Sequence, residues 1–103
     1  MNEELVQDYI EKRIDDLKPE IKQRFTWQFT DNEDNRLAYT IPQDKYPSLI
    51  NFCSKVIVKA PDLSYKLMDE LIAHEVLHTF YGVAHDEIRE RQKIINFFKE
   101  HGK

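Results

Sequence analysis

At 103 residues the chain is long enough for one modest core and too short for two. A net charge of −4 gives no basic footprint for nucleic acid or an anionic membrane, and no apolar run reaches the ~20 residues of a transmembrane helix. The single cysteine, Cys53, permits no internal disulfide, and the acidic start Met1-Asn2-Glu3-Glu4 lacks the basic-then-apolar order of a signal peptide, so a cytoplasmic location is expected.

Asn2 is placed to cap a first helix in which Val6, Ile10, Ile14, Leu17 and Ile21 recur at spacings of three or four. Pro19 lies inside that pattern and either kinks the helix or opens a short second one as its first residue. Phe25, Trp27 and Phe29 alternate with polar residues, the pattern of a strand with one buried face. After a polar turn at Asp31 to Asn35, Leu37, Tyr39 and Ile41 alternate again, which predicts a hairpin over residues 25 to 41. Pro42 to Pro47 reads as a loop, and Val56-Ile57-Val58, ending at Pro61, as a third and more buried strand. The expected sheet is therefore three-stranded and mostly antiparallel.

Asp62 or Ser64 can cap a long helix running to about Tyr81. Met68, Ile72, Val76 and Phe80 form one stripe on it, and Leu67, Leu71, His74 and His78 a second, so the helix is buried on most of its circumference. Gly82 fits the left-handed residue that ends a helix. A final helix is expected over 86–103, with Ile88, Ile95 and Phe98 as its apolar stripe, widened by Ile94 and Phe97. The fold class is α+β in a single domain: an N-terminal helix, a small sheet, a buried central helix and a C-terminal helix.

The central helix carries His74-Glu75-Val76-Leu77-His78, the HExxH pattern. Residues i and i+4 share a helix face, so both imidazoles can reach one metal ion, and Glu75 stands beside them to take a proton from water. Two histidines and a glutamate on a buried helix are costly without a partner, and a metal is the simplest one. A catalytic zinc has three protein ligands and one open position. His85, just past Gly82, is the favoured third donor because imidazole suits zinc; Glu87 and Glu90 are its competitors.

The span 74 to 86 resembles the minigluzincins, very small zinc peptidases of the zincin-like class, and is similar to the SprT-like and WLM peptidases in its short HExxH domain. His85-Asp86 matches the SprT-like third-ligand step, whereas the spacing is one residue longer than the WLM pattern. Six residues rather than five separate His78 from His85, and no methionine follows them, so the chain is not a metzincin. The resemblance implies one catalytic Zn²⁺ on His74, His78 and His85, Glu75 as general base, and a peptide or unfolded protein as substrate. It also implies that a C-terminal segment, here the end of the last helix and Glu100 to Lys103, can block the cleft and keep a zymogen latent. The edge around Arg36 to Ile41 is the expected place for an extended peptide, and Tyr81 or Arg89 the nearest candidates to stabilise an oxyanion.

Blander readings compete with these. A zinc ion closed by a fourth protein ligand, such as Glu87 or His101, would be structural rather than catalytic. Ile94, Ile95, Phe97 and Phe98 would also serve a homo-oligomer formed through the last helix. Cys53 reads as a small buried apolar side chain and His101 as a solvated tail residue.

Overall fold

The computed structural model describes residues 1–32, 34–44 and 47–103. Glu33, in the expected Asp31 to Asn35 turn, and Lys45 and Tyr46, in the expected Pro42 to Pro47 loop, lie outside the described residues. Helix α1 runs Glu3–Asp15 and is capped as its sequence predicts, with the Leu5 N–H donating to Asn2 Oδ1 at 2.8 Å. Pro19 opens a separate short helix, α2 (Pro19–Lys22), at a position where its missing N–H costs nothing. Val6, Ile10, Ile14, Leu17 and Ile21 are all buried, so the predicted stripe is the inner face of both helices.

The sheet departs from the expected hairpin. Strands β1 (Phe25–Phe29) and β2 (Ala38–Ile41) do not pair with each other; β3 (Ser48–Phe52) lies between them in the order β1-β3-β2. β1 runs parallel to β3, and β2 antiparallel to it, so the sheet is mixed rather than mostly antiparallel. The physical reason lies in β3. Ile50, Asn51 and Phe52 are all buried, and the run Ser48-Leu49-Ile50-Asn51-Phe52 carries no strict apolar–polar alternation to mark it as a strand.

The third strand expected at Val56 to Val58 is instead a turn of helix, α3 (Ser54–Ile57). The chain leaves the sheet at Cys53, whose N–H still bonds the Leu37 carbonyl at 2.9 Å, and only then coils. β-Branched residues favour strands weakly, and tertiary context overrides that preference here. Cys53 is fully buried, as expected of a small apolar side chain.

Helix α4 (Tyr65–Tyr81) starts at Ser64, whose Oγ accepts the Leu67 N–H at 3.0 Å. Met68, Ile72 and Val76 are completely buried against α1 and the sheet, each contributing about 1.5–3 kcal/mol of hydrophobic stabilisation. The second stripe, from Leu67 to His78, is only half-buried. Polar ties lock the frame. Asp69 accepts from Tyr9 Oη at 2.9 Å and Arg13 Nε at 2.8 Å, and the Arg13 guanidinium lies 4.0 Å from the Phe98 ring centroid, joining α1, α4 and the last helix.

The final helix expected from Asp86 is divided into α5 (His85–Ile88) and α6 (Arg91–His101). Phe97 is buried and Ile94 and Phe98 pack on the core, so most of that apolar stripe is used within the chain; Ile95, 52% exposed, is the part left outside. The tail is sewn to the α1–α2 junction. Leu17 bridges Gly102, the Lys18 N–H donates to the His101 carbonyl at 2.8 Å, and the Lys103 N–H donates to the Asp16 carbonyl at 2.7 Å. A Cβ on Gly102 would stand 2.5 Å from the Phe98 carbonyl oxygen, so only glycine fits the clasp. Gly102→Ala is expected to destabilise the chain by roughly 1–3 kcal/mol, the usual cost of a forced backbone shift. A lower urea midpoint at unchanged slope would show it.

Candidate metal centre

α4 ends at Gly82, whose φ of 63° and ψ of −142° lie in a region closed to residues with a Cβ. The φ is positive, as expected, but the ψ differs from that of a left-handed helical cap. The turn aims the Gly82 carbonyl back at its own helix, where His78 Nδ1 meets it at 2.7 Å. A carbonyl only accepts, so Nδ1 carries the proton and Nε2 is left with its lone pair free for a metal. Arg24 closes the same helix end from β1's side: Nη2 donates to the Thr79 carbonyl at 2.7 Å, and the guanidinium covers the Phe80 ring at 3.9 Å.

The turn also brings His85, at the start of α5, back over His74 and His78. Ring centroids stand 4.9 Å apart for His74 and His78, 5.1 Å for His78 and His85, and 5.8 Å for His74 and His85. One nitrogen from each lies within 4.8 Å of the others, so the three can hold a single metal ion. Nitrogens bound tetrahedrally to zinc stand about 3.3–3.4 Å apart, so the rings must draw in somewhat, and exposed His85 has the room to do so. The donor set suits zinc and other borderline divalent ions alike.

The competing carboxylates are engaged elsewhere. Glu87 accepts from Lys93 Nζ at 2.7 Å, and Glu90 lies 3.7 Å from the same ammonium. His101 stacks on Phe80 at 5.3 Å and leans on Phe97, so neither it nor the tail enters the histidine group. Tyr81 lies under Lys93 Nζ, 4.2 Å from the ring centroid.

Glu75 is 4% exposed yet lines the same cleft, a space of about 250 Å³ bounded by Ala38, Thr40, Pro42, Val83 and the three histidines among others. Burial pushes its carboxyl up to about 7, against the lowering influence of a Thr40 hydrogen bond and of His85. Burial also pulls His74 down to about 4, helped by His78 and His85, so that imidazole is neutral and free to bind metal well below pH 7. Thr40 Oγ1 donates toward Glu75 Oε1 at 3.0 Å and toward the Glu75 main-chain carbonyl at 3.2 Å.

Strand β2 forms one wall of the cleft and, among the described residues, has β3 on one side and no strand on the other. Ala38 and Thr40 lie opposite Phe52 and Ile50, so these two small residues, rather than Tyr39 and Ile41, face the helices. Their size lets the strand approach α4. The Cys53 N–H to Leu37 carbonyl bond sets the ladder, so Leu37, Tyr39 and Ile41 direct their main-chain groups at β3. Ala38 and Thr40 direct theirs at the free edge. Thr40 and the Gly82 carbonyl were not readable as site groups from sequence; the available signal was a threonine in the strand expected to bind peptide.

No family model, curated protein or solved structure matches the chain.

Two outcomes are expected, the first of the metal-free protein. Glu75 holds a proton in the folded state between its ordinary value near 4.5 and about 7, which the unfolded chain has lost. Its contribution to stability is therefore present below that window and fades as pH rises through it, by about 1–3 kcal/mol. Glu75→Gln should remove this loss, so urea titrations of the two proteins in chelator should diverge between pH 5 and pH 8, with the variant the more stable at the upper end. Gly82→Ala meets no side chain within 4 Å, so its cost is backbone strain alone. By displacing the carbonyl that orients His78, it should weaken the hold of the three-histidine group on an added divalent ion about 10- to 100-fold in a chelator competition.

Proposed function

We propose that the chain is a small zinc-dependent endopeptidase of the minigluzincin type. One zinc ion is held by His74, His78 and His85, and Glu75 is the general base. The observation that carries this reading is the joint placement of three converging imidazoles and a deeply buried carboxylate on one cleft. A bound zinc ion would polarise the scissile carbonyl and acidify the attacking water. Glu75 takes the proton from that water and passes it to the leaving amine. A carboxylate whose proton affinity lies near neutrality is suited to do both. The substrate is a peptide or unfolded protein in extended form, added to the free edge of β2.

A structural zinc would call for a fourth protein ligand. Among the described residues the group has three members, and the two candidates for a fourth, Glu87 and His101, are held by Lys93 and Phe80. This favours the catalytic reading. Latency through the tail, which the resemblance implies, finds no support in a tail bonded to Asp16, Leu17 and Lys18.

Casein hydrolysis by the zinc-loaded full-length chain tests the reading, run beside Glu75→Gln and a form truncated before His101. The full-length protein should cleave, and Glu75→Gln should lose about 10²- to 10⁴-fold in rate while keeping one zinc per chain. Truncation should bring no gain. Cleavage that survives Glu75→Gln would sink the assigned mechanism, and stoichiometric zinc without cleavage by any form would leave the structural metal in its place.

A further inference from the structure

Thr40 faces two ways. Its main-chain N–H and C=O point at the free edge of β2, where an extended peptide would pair, and its hydroxyl points inward at Glu75. That hydroxyl has one proton and two acceptors on the same residue, the carboxylate Oε1 at 3.0 Å and the main-chain carbonyl at 3.2 Å. The two acceptors compete for that one proton, so the position of the strand sets how it is divided between them. Glu75 is otherwise enclosed, and Thr40 gives the only hydrogen bond its carboxylate receives among the described residues.

We propose that Thr40 is a positioning residue that couples the docking of an extended peptide on β2 to the placement of the Glu75 carboxylate. The inference rests on the peptidase reading and says how that site is regulated by its own substrate. A peptide that pairs with Thr40 fixes the strand, the strand fixes the hydroxyl, and the hydroxyl fixes the base. Binding energy gained away from the scissile bond is then realised as rate rather than as affinity. Peptides too short to reach the main chain of residue 40 should bind and turn over slowly; longer ones should gain in kcat.

The test uses the zinc-loaded full-length chain, Thr40→Val and Thr40→Ser, with a series of peptides lengthened one residue at a time. Valine keeps the shape and the main-chain groups of residue 40 and removes only the hydroxyl. In the native chain kcat should rise about 10- to 100-fold when the peptide becomes long enough to cover Thr40. In Thr40→Val that rise should vanish while KM still falls with length, and Thr40→Ser should restore it; zinc affinity should stay the same in all three. A rise in kcat that persists in Thr40→Val, or a serine variant that behaves like valine, would overturn the coupling. A second readout needs no turnover. The isotope-edited infrared band of the Glu75 carboxylate, assigned by its loss in Glu75→Gln, should shift when a long peptide with a reduced, uncleavable bond is added to the native and serine proteins. Thr40→Val should show no shift. No shift in the native protein would overturn the proposal even if casein is cleaved. A shift in a chain that cleaves nothing would uphold the coupling and remove the peptidase reading alone.

Discussion

Met68, Ile72 and Val76 stack on one side of α4 because four residues make slightly more than a turn, and the same period sends His74 and His78 to the other side. The core therefore fixes the histidines. Any rotation of the helix that moved the imidazoles would expose three completely buried side chains, at about 1.5–3 kcal/mol each. Glu75 falls between the two faces, deep enough to lose its water and near enough to line the cleft. Its raised proton affinity comes from this boundary position, since a residue further toward His78 would be solvated and one further toward Ile72 would be walled off.

The remaining parts hold that helix in register. Arg24 takes up the Thr79 carbonyl in its last turn and covers Phe80; Asp69, near its start, is gripped by Tyr9 and Arg13. At its end, Gly82 returns the chain so that a carbonyl meets His78 and a third imidazole arrives over the first two. These are short-range devices, each depending on one or two residues. A domain of this size cannot rely on a large core for the same stiffness.

Helices α1, α2 and α4 and the histidine pair were legible in the sequence because their signals are local, whereas α3 was read as a strand and α5 and α6 as one helix. Asn2, Pro19, Ser64 and Gly82 mark boundaries by their own backbone chemistry, and the spacing of His74 and His78 is a helical turn. His85 was favoured over Glu87 and Glu90 on donor chemistry and its place after Gly82; that Lys93 draws the carboxylates away was not readable there. The sheet was misread because pairing is not local. β1 and β2 look like a hairpin in isolation, and nothing near either one announces that Ser48–Phe52 will lie between them. Thr40 was hidden for the same reason: its partner Glu75 is 35 residues away.

The central place of β3 also governs how the chain can fold. Among the described residues β1 and β2 each pair with β3 and not with one another, so the two strands of the first 41 residues await a partner. Only when Ser48–Phe52 follows can β2 pair, antiparallel, as a hairpin with β3. The sheet is then complete only when β1 joins β3 in parallel, across 23 residues. Sheets that depend on such distant pairing form slowly, because loop-closure entropy is lost before any strand contact compensates for it. Ile50 and Phe52 thus join a local hairpin to a distant strand, and the helical layer closes over longer spans still, since Tyr9 and Arg13 reach Asp69 across 60 and 56 residues.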